Sequence, residues 1–397
     1  MSIAPIENQT STQLPLACLR RHWVLVREIG SALFVLCSTA MTSHAQRLPA
    51  WQLVEEQQWS GDTNLFTGIT AILPTSGGSI LVVEPREGRL RVFGANGGFE
   101  RTIGRDGQGP GEFVRLNAAG LFGDTLWTTD LNLRRTTLFR TSGDLVSTMP
   151  WNTVAASESS NLVSGVFADG TAWGEKATTA AALAGPELPK AVLRLTRTAR
   201  SMDTLALVST EHTLFNVMDG PAMNFGPQPF SDAPLVVASS TDSRLFVIVR
   251  PVAPNGKGGL LRVVAVNARG DTAWSREFLY SPRPLERRVA DSVLDRTHRG
   301  MRRSGVTIDV VRRVLFLPTN RPPVSAAIVA HDGTLWPRRE AGQATVEYWV
   351  VSADGILIGS VPVAANVSIA AANGEHAWGI RSDTDGVPSI VRFRISR

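Results

Sequence analysis

The chain has 397 residues, and 43% of them are hydrophobic, which is enough for a large core. Its 35 glycines and 23 prolines occur without low-complexity runs, and this composition favours a fold with many turns over a helical one. The formal net charge is +5, and most of the excess lies in one arginine-rich stretch, residues 283–313. Because the rest of the chain is close to neutral, a general nucleic-acid-binding surface is not expected.

Residues 1–45 are predicted to be a signal peptide, because an apolar run over 29–41 is followed by small residues just before Gln46. The positive flank of this run consists of Arg20, Arg21 and Arg27. A bilayer span requires a longer run, so a permanent anchor is the less favoured alternative. We expect the mature chain to be exported to the periplasm or the exterior, without a transmembrane segment.

Both cysteines, Cys18 and Cys37, fall inside the predicted signal peptide. The mature chain, residues 46–397, is therefore expected to hold no disulfide, no thiolate metal site and no thiol nucleophile. Its stability must come from a large core, which a chain of this length can supply.

A short unit recurs six times along the mature chain: a turn, one or two polar residues, and then an apolar or aromatic pair. The copies are Gly78–Leu81, Gly123–Trp127, Asp169–Trp173, Asp242–Phe246, Asp332–Trp336 and Asn373–Trp378. Asp-Gly and Asn-Gly between apolar runs are strong hairpin signals, since the central residues of such turns take positive φ. Six tandem hairpins of one type indicate a repeat architecture.

Each unit has room for four strands. An apolar segment such as Leu162–Phe167 precedes each copy, and a second hairpin such as that around Leu90–Phe93 follows the first five. Four strands are the size of one propeller blade. The sequence therefore predicts an all-β fold, a single six-bladed β-propeller over residues 46–397.

The sixth unit lacks its outer strand, because the chain stops after Ile390–Ile395, while a spare strand-like segment, Trp51–Trp59, precedes the first unit. We predict that the N-terminal strand completes the last blade and closes the ring, which leaves only short edges exposed. A β-sandwich is the alternative, but it would not explain a strand that is missing at one end and surplus at the other.

Two stretches lengthen the spacing between units. The excess after the third unit is interpreted as loop. The excess after the fourth, residues 281–321, begins with apolar residues four apart over Leu285–Leu294, which favours a helix with one apolar face. We predict a small helical insertion between blades four and five that lies against the disc.

Three segments, Ile103–Phe113, Gly123–Asp130 and Arg135–Phe139, form a pattern. A glycine-rich loop ends in Gly-Glu-Phe, a strand ends at Asp, and Arg-x-x-x-Phe precedes a glycine turn. The pattern resembles the NHL-repeat type of six-bladed propeller, especially little-characterised exported members from environmental bacteria. It covers residues 89–145, and units three to six depart from it. The resemblance implies the fold but little about activity, because this fold hosts binding modules, lyases and hydrolases alike.

The glycine-rich run Gly104–Gly111 has neither a Gly-Lys-Ser/Thr ending nor a following helix, so we interpret it as a link between blades and not as a phosphate site. Four tryptophans hold fixed places in the repeat: Trp127, Trp173, Trp336 and Trp378. They are interpreted as packing between neighbouring blades, with a sugar-stacking platform as the alternative.

Metal ligands are sparse in the mature chain. Its histidines are His212, His298, His331 and His376. No two have ligand spacing, although the last two sit at equivalent turns of adjacent units and could approach each other. Asn117 and Asn161 are the polar candidates near the starts of inner strands. We predict no metal and no cofactor.

The arginine-rich insertion is the one feature that departs from the repeat. Its candidate site residues are Arg299, Arg302, Arg303, Arg312 and Arg313. These side chains are of the type that binds an anionic partner, while a solvated helix face is the alternative reading. Added function is often carried where a regular scaffold is interrupted.

The leading functional hypothesis is an exported, monomeric, non-enzymatic binding or scaffolding propeller that engages an unknown protein or glycan ligand on one face of the disc. The alternative is a metal-dependent lyase or lactone hydrolase with its site at the channel mouth. Three or more His, Asp, Glu or Asn side chains converging in the channel would favour the enzyme. A third reading is a purely structural element of the cell envelope.

Overall fold

The computed structural model describes residues 48–59, 66–151, 161–176, 188–219, 222–253, 258–301, 305–342 and 344–397. The predicted signal peptide lies outside these residues. The described chain forms six four-stranded antiparallel sheets and one separate two-stranded sheet. The predicted fold class, a six-bladed β-propeller closed by the N-terminal strand, is confirmed.

Each blade uses four strands in chain order. Blades one to three comprise β2 (Ala71–Pro74), β3 (Ile80–Glu84), β4 (Arg89–Phe93), β5 (Phe99–Ile103); β6 (Leu116–Phe122), β7 (Thr125–Asp130), β8 (Arg135–Arg140), β9 (Leu145–Pro150); and β10 (Asn161–Val166), β11 (Ala172–Lys176), β12 (Lys190–Leu195), β13 (Ser201–Val208). A single 3₁₀ turn, Pro85–Glu87, joins β3 to β4.

The remaining strands continue this order after a two-stranded hairpin. They are the hairpin strands β14 (Leu214–Asp219) and β15 (Ala222–Pro227); blade four, β16 (Leu235–Ala238), β17 (Leu245–Val249), β18 (Gly259–Val266), β19 (Thr272–Tyr280); blade five, β20 (Ala326–Val329), β21 (Leu335–Glu340), β22 (Thr345–Val351), β23 (Leu357–Ala364); and blade six, β24 (Val367–Ala372), β25 (His376–Ser382), β26 (Pro388–Ser396) with β1 (Gln52–Trp59).

The first strand of each blade lies innermost. First strands of neighbouring blades touch around the axis, for example β2 with β6, β16 with β20, and β24 with β2. Strand β3, the second strand of blade one, is buried along its whole length, and β7 and β17 are buried at all but one position. This pattern arises because each blade packs against a neighbour on either side, so alternate side chains of one strand enter two different interfaces.

The core lies between blades, and each of the six interfaces holds an apolar cluster. The repeat tryptophans belong to these clusters, as predicted. Trp127 packs against Val166 of blade three, and Trp336 lies in the cluster shared with blade six. Trp378 joins the cluster with blade one, and Trp173 packs against the cluster with blade four.

The N-terminal segment closes the ring in two places. Strand β1 pairs antiparallel with β26 from Gln52 opposite Ser396 to Trp59 opposite Ile390. Just before it, the Trp51 amide donates to the Ser360 carbonyl of blade five at 2.8 Å. The Trp51 ring is 5% exposed and meets the Trp336 ring edge-on at 6.2 Å between centroids. The segment therefore ties blades five and six together as well as completing blade six.

The NHL-like residues have structural roles in blade two. Phe113 is fully buried in the cluster between blades one and two. The buried Asp130 carboxylate accepts four backbone N–H bonds, from residues 114, 115, 132 and 133, at 2.8–2.9 Å. Arg135 donates to the carbonyls of Gln108, Gly109 and Glu112 at 2.6–3.0 Å. The glycine-rich run is thus the link from β5 to β6, as predicted.

The turns need glycine where blades approach closely. Gly355, in the turn between β22 and β23, has φ +82°. A Cβ there would come within 2.8 Å of Arg276 Cγ and 2.9 Å of the Trp274 ring, on the outer strand of blade four. Most L-residues disfavour this φ, so both the turn and the contact favour glycine.

One interpretation from the sequence is wrong. The excess after the third unit is not simple loop, because residues 214–227 form the hairpin β14–β15, paired from Leu214 opposite Pro227 to Asp219 opposite Ala222. The insertion after blade four is helical, as predicted, with α1 (Arg287–Met301) and α2 (Ile308–Val314). The hairpin is stable because these helices cover its apolar side chains.

Candidate functional site

The two faces of the disc carry different connections between strands. Strands one and three of each blade run one way, and strands two and four run the other. Turns between strands one and two, and between three and four, therefore lie on one face, here called the turn face. Connections between strands two and three, and between blades, lie on the opposite loop face. All six repeat turns belong to the turn face, and both insertions belong to the loop face.

The hairpin β14–β15 and the helices α1 and α2 form one accessory lobe. They come from the links on either side of blade four and share one apolar cluster. Its buried members are Phe215, Val217, Leu294, Met301, Val306, Val311 and Leu315. Neither insertion buries its apolar side chains alone, so each depends on the other for stability.

A polar clasp fixes the lobe at its base. The Gln228 side chain donates to the Val314 carbonyl at 2.8 Å and accepts from the Phe316 amide at 2.8 Å. The His212 ring stacks on the Phe316 ring, with centroids 3.5 Å apart and planes 10° apart. His212 Nδ1 also lies 2.8 Å from Asp232 Oδ1, just before blade four. The hairpin, the helices and blade four are thereby held in one arrangement.

Beneath the clasp, Arg250 is a buried cation with two backbone partners. Its guanidinium donates to the carbonyls of Ala233 at 2.7 Å and Val324 at 2.6 Å, which precede the inner strands of blades four and five. Burial lowers the pKa of Arg250 to about 10, although the nearby Asp232 carboxylate acts to raise it. Arg250 therefore stays charged at neutral pH and joins two blades under the lobe.

The predicted arginine patch lies on the lobe. Arg299 is exposed near the end of α1, and Arg312 and Arg313 are exposed in the last turn of α2. Arg312 forms an ion pair with Asp309 at 3.2 Å. The other two predicted members, Arg302 and Arg303, lie outside the described residues.

The insertion leaves the disc through a narrow neck, defined as residues 283–285 and 319–321. Its two arms pair antiparallel: Leu285 N donates to Thr319 O at 2.9 Å, and Arg321 N donates to Arg283 O at 2.7 Å. The buried Asn320 side chain donates to the Ala253 carbonyl at 2.8 Å. The ends of the helical insertion therefore lie next to each other on the disc.

Arg338 and Arg339 occupy consecutive positions near the end of β21, so their side chains point to opposite faces of blade five. Arg339 Nη1 lies 3.2 Å from Glu347, and its guanidinium lies 3.9 Å from the centre of the Trp349 ring. Arg338 Nη1 donates to Ser325 Oγ at 2.8 Å and lies 3.4 Å from Glu340. Arg338 lies opposite Tyr348 of the cluster between blades five and six, whereas Arg339 lies over Trp349 of the cluster between blades four and five. Sequence reasoning missed the contact between Arg321 and Glu340, because it depends on how the neck leaves the disc.

Burial lowers the pKa of Arg339, and the positive charge of Arg283 lowers it further, whereas Glu347 and Tyr280 act to raise it. Burial raises the pKa of the neighbouring Tyr280 phenol, which donates to the Pro251 carbonyl at 2.7 Å. Tyr280 is therefore neutral at physiological pH, and the charges at this point of the loop face are mainly positive.

A concavity lies on the loop face between blades six and one. It has a volume of about 330 Å³. Its lining consists of Thr67, Gly68, Ile69, Thr70, Pro85, Arg86, Gly386 and Pro388. One cation and two hydroxyls make it a polar groove next to the inner strand β2.

The other predicted candidates do not converge. His331 lies beside a turn, and burial lowers its pKa although Asp332 acts to raise it. His376 lies on β25, 3.3 Å from Glu56. Asn117 is exposed on β6, and Asn161 donates its amide to the Ala199 carbonyl. Within the described ranges, no group of three His, Cys, Asp or Glu side chains is placed to hold a metal ion.

The sequence contains a signal for the hairpin β14–β15. An apolar run, Leu214–Met218, is interrupted only by Asn216, Asp219-Gly220 follows, and a second largely apolar run leads to Phe225. This is the same hairpin signal that defines the repeat. The signal lies outside the four-strand pattern of the blades, so counting strands by blade assigns these residues to a loop.

Residues 60–120 match the family model DUF5128, described as a 6-bladed beta-propeller. No curated protein matches the sequence. No helix in the described part of the chain has the length and apolarity needed to cross a bilayer.

Several solved structures are similar to this chain at low sequence identity. A member of the DUF4221 family from Bacteroides vulgatus superposes with a TM-score of 0.52 at 8% identity, covering 88% of this chain and 99% of that one. The calcium-binding protein regucalcin from Agrobacterium tumefaciens gives 0.43 at 9% identity, covering 87% and 96%. Virginiamycin B lyase from Staphylococcus aureus gives 0.41 at 12% identity, covering 87% and 99%. The NHL-repeat resemblance stays a prediction, and what the comparisons establish is the fold: the chain is a six-bladed β-propeller.

Proposed function

We propose that this protein is an exported, monomeric, non-enzymatic binding propeller that holds an anionic protein or glycan on its loop face. The observation that carries the proposal is the accessory lobe. Two insertions on either side of blade four fold into one body on the loop face, although the ring closes through β1 and β26 without them. Structure added to a regular scaffold in this way is where binding function commonly resides.

The charge of the lobe supports an anionic ligand. Arg299 and Arg313 are exposed, and Arg312 forms an ion pair with the Asp309 carboxylate. Guanidinium groups match carboxylate, sulfate and phosphate groups through paired N–H donors. A surface with clustered positive charge also accelerates the approach of an anionic ligand at low salt.

Excision of the lobe helices tests the proposal. Because Leu285 and Thr319 are paired in the neck, residues 286–318 can be replaced by a short Gly-Ser linker. Phe215→Ser and Val217→Ser keep the uncovered hairpin soluble. We expect the intact mature protein to be retained on dextran sulfate or polygalacturonate but not on neutral dextran, and the excised protein to lose this retention. Equal retention of both proteins, with equal melting temperatures, contradicts the proposal.

A charge-matched pair of variants distinguishes binding at the lobe from the effect of net charge on retention. Arg299, Arg312 and Arg313 are replaced by Gln in one protein. Three exposed arginines on or beside the turn face, Arg140, Arg200 and Arg269, are replaced in the control. Only the first triple is expected to weaken retention, and an equal loss in both would indicate nonspecific attraction.

Export and the absence of a metal are tested directly. The exported fraction is expected to begin at Gln46 by N-terminal sequencing, and the purified protein to be monomeric by light scattering. After chelation, calcium or zinc is expected to leave the melting temperature unchanged. A ligand that binds only the folded state raises this temperature, so a clear rise would favour the lyase or lactone-hydrolase alternative.

A further inference from the structure

The concavity between blades six and one, here called the groove, is formed by three segments and contains no residue of the lobe. Its lining comes from residues 67–70 ahead of β2, from Pro85 and Arg86 between β3 and β4, and from Gly386 and Pro388 where β25 leads into β26. We propose that the groove binds an acidic sugar unit, a uronic acid, whose carboxylate is held by Arg86. The proposal goes beyond the proposed function, because the groove is separate from the lobe.

Arg86 brings one positive charge to the groove. The residue is exposed, and its hydrogen bond from Nη1 to the Thr67 carbonyl is long, at 3.5 Å. The carboxylate two positions earlier, Glu84, is engaged by Arg91 at 2.6 and 2.9 Å. No described carboxylate forms an ion pair with Arg86. A guanidinium group binds a carboxylate through paired N–H donors, so Arg86 is suited to one carboxylate of a ligand.

The other lining residues suit a sugar ring. Thr67 and Thr70 are exposed, and their hydroxyls can both donate to and accept from sugar hydroxyls. Ile69, Pro85 and Pro388 provide apolar surface for the C–H side of the ring. The volume of about 330 Å³ lies at the lower end of the range for small-molecule sites, about 300–1,000 Å³, which fits one or two sugar rings.

The blade-six wall carries an acidic residue, Asp383, that is engaged within its own loop. Its carboxylate accepts from the amides of Asp385 at 2.9 Å and Val387 at 2.8 Å. Neither Asp383 nor Asp385 lines the groove. Arg86 is therefore the one charged residue among the described lining residues, and the groove favours a ligand with a single negative charge at this point.

The backbone of the groove is less suited to an acidic peptide. Peptides commonly bind by pairing with an unpaired strand edge. In the groove, the Thr70 amide already donates to the Val83 carbonyl at 3.1 Å, and the Gly386 amide donates to the Asp383 carbonyl at 3.2 Å. The groove therefore offers side chains to a ligand, which favours a sugar over an extended peptide.

A buried ion pair fixes the blade-one wall before a ligand binds. Glu84 is fully buried with its partner Arg91, and the Arg91 guanidinium lies 4.4 Å from the centre of the Phe66 ring. Phe66 is 3% exposed and directly precedes Thr67. Because this packing orders the segment that leads into the groove, binding has a smaller entropic cost than at a flexible loop.

The probes are three small molecules, applied to the mature protein with the lobe intact. Methyl glucuronoside has the ring and the charge, methyl glucoside has the ring alone, and a capped aspartate has the charge on a peptide unit. Calorimetry and saturation-transfer NMR measure their binding. We expect the glucuronoside to bind more tightly than either of the other two.

Arg86→Gln tests the carboxylate contact, and the exposure of Arg86 means that its loss should not disturb folding. We expect binding of the glucuronoside to weaken about tenfold, with binding of the glucoside unchanged. The control is Arg140→Gln, at an exposed arginine of the turn face, which should change the affinity less than about twofold. Thr67→Val and Thr70→Val keep the side-chain shape and should each weaken glucuronoside binding about fivefold.

The proposal is overturned if the glucuronoside binds no better than the glucoside or the capped aspartate, or if Arg86→Gln and Arg140→Gln have equal effects. Replacement of residues 286–318, which tests the proposed function, leaves every described lining residue of the groove in place and should not change glucuronoside binding. Polysaccharide retention therefore tests the lobe, and glucuronoside binding tests the groove.

Discussion

The turn face and the loop face of this propeller differ in how uniform their connections are. On the turn face, the Asp-Gly-Thr turns of blades three and five make the same hydrogen bonds. Phe167 N donates to Thr171 O at 2.7 Å, and Ala330 N donates to Thr334 O at 2.8 Å. In each turn the Asp carboxylate accepts from both the amide and the hydroxyl of the threonine.

On the loop face, the links between blades range from residues 365–366 to residues 281–325, and two of them fold into the accessory lobe. The two faces constrain the chain in different ways. The turns must bring adjacent strands into register, whereas a link has only to reach the next inner strand. Variation in length is therefore tolerated on the loop face, and new surfaces are built there.

The largest expected effect is on the closure of the ring. Trp51→Ala removes a buried side chain that contacts blades five and six, and it should lower the free energy of unfolding by about 3–5 kcal/mol. Chemical denaturation measures this change. Leu279→Ala, at a side chain that is 77% exposed, is the control and should change stability by less than about 0.5 kcal/mol. Similar stabilities for the two variants would show that closure does not depend on Trp51.

A core substitution in the lobe should act locally. Leu294 is 2% exposed in the lobe cluster, and Leu294→Ala should destabilise the lobe by about 2–5 kcal/mol. We expect faster hydrogen exchange in β14, β15, α1 and α2, with unchanged exchange in the blades. Asp295→Ala, at the exposed neighbour, is the control. Uniform loss of protection across the disc would contradict the separation of disc and lobe.

The Asp130 carboxylate should contribute strongly to stability, because it accepts four backbone hydrogen bonds. Asp130→Asn puts an NH₂ group in place of one acceptor oxygen, so two of the four N–H donors lose their partner. The expected loss of stability is about 2–3 kcal/mol, measured by denaturation. Asp144→Asn, at an exposed turn residue of the same blade, should have little effect. An equally small effect at Asp130 would mean that water replaces its hydrogen bonds.

The smallest effect expected concerns pH. The pKa of His331 lies below its ordinary value of 6.5, because burial disfavours the charged ring. Below this pH the unfolded chain binds a proton that the folded protein does not, so the free energy of unfolding falls as pH decreases through this range. His331→Asn should reduce the difference in stability between about pH 5.5 and about pH 7.5. An unchanged difference would assign the pH dependence to other groups.

The repeat could be predicted because its signals are local. Asp332-Gly333 specifies its turn through positive φ at Gly333, and the strand-like segment Trp51–Trp59 is surplus when four strands are counted for each blade. The places of Trp336 and Trp378 between blades follow from their fixed position in a repeated unit. These features depend on residues close together in the chain or on the count of strands.

The lobe and the neck could not be predicted in the same way. Phe215 and Leu294 meet although blade four separates them in sequence. Arg283 reaches Ala341, and Arg321 shares Glu340 with Arg338. Each of these contacts depends on how two links leave the disc on one face.

By itself, the sequence determined the number of blades, the strand order within each blade and the closure of the ring, because periodic patterning and turn chemistry act over a few residues. Only the tertiary structure decided that two insertions form one lobe and that the two ends of the helical insertion pair at its neck. Long-range contacts depend on the directions of strands and on which apolar faces remain uncovered, and no local pattern records either.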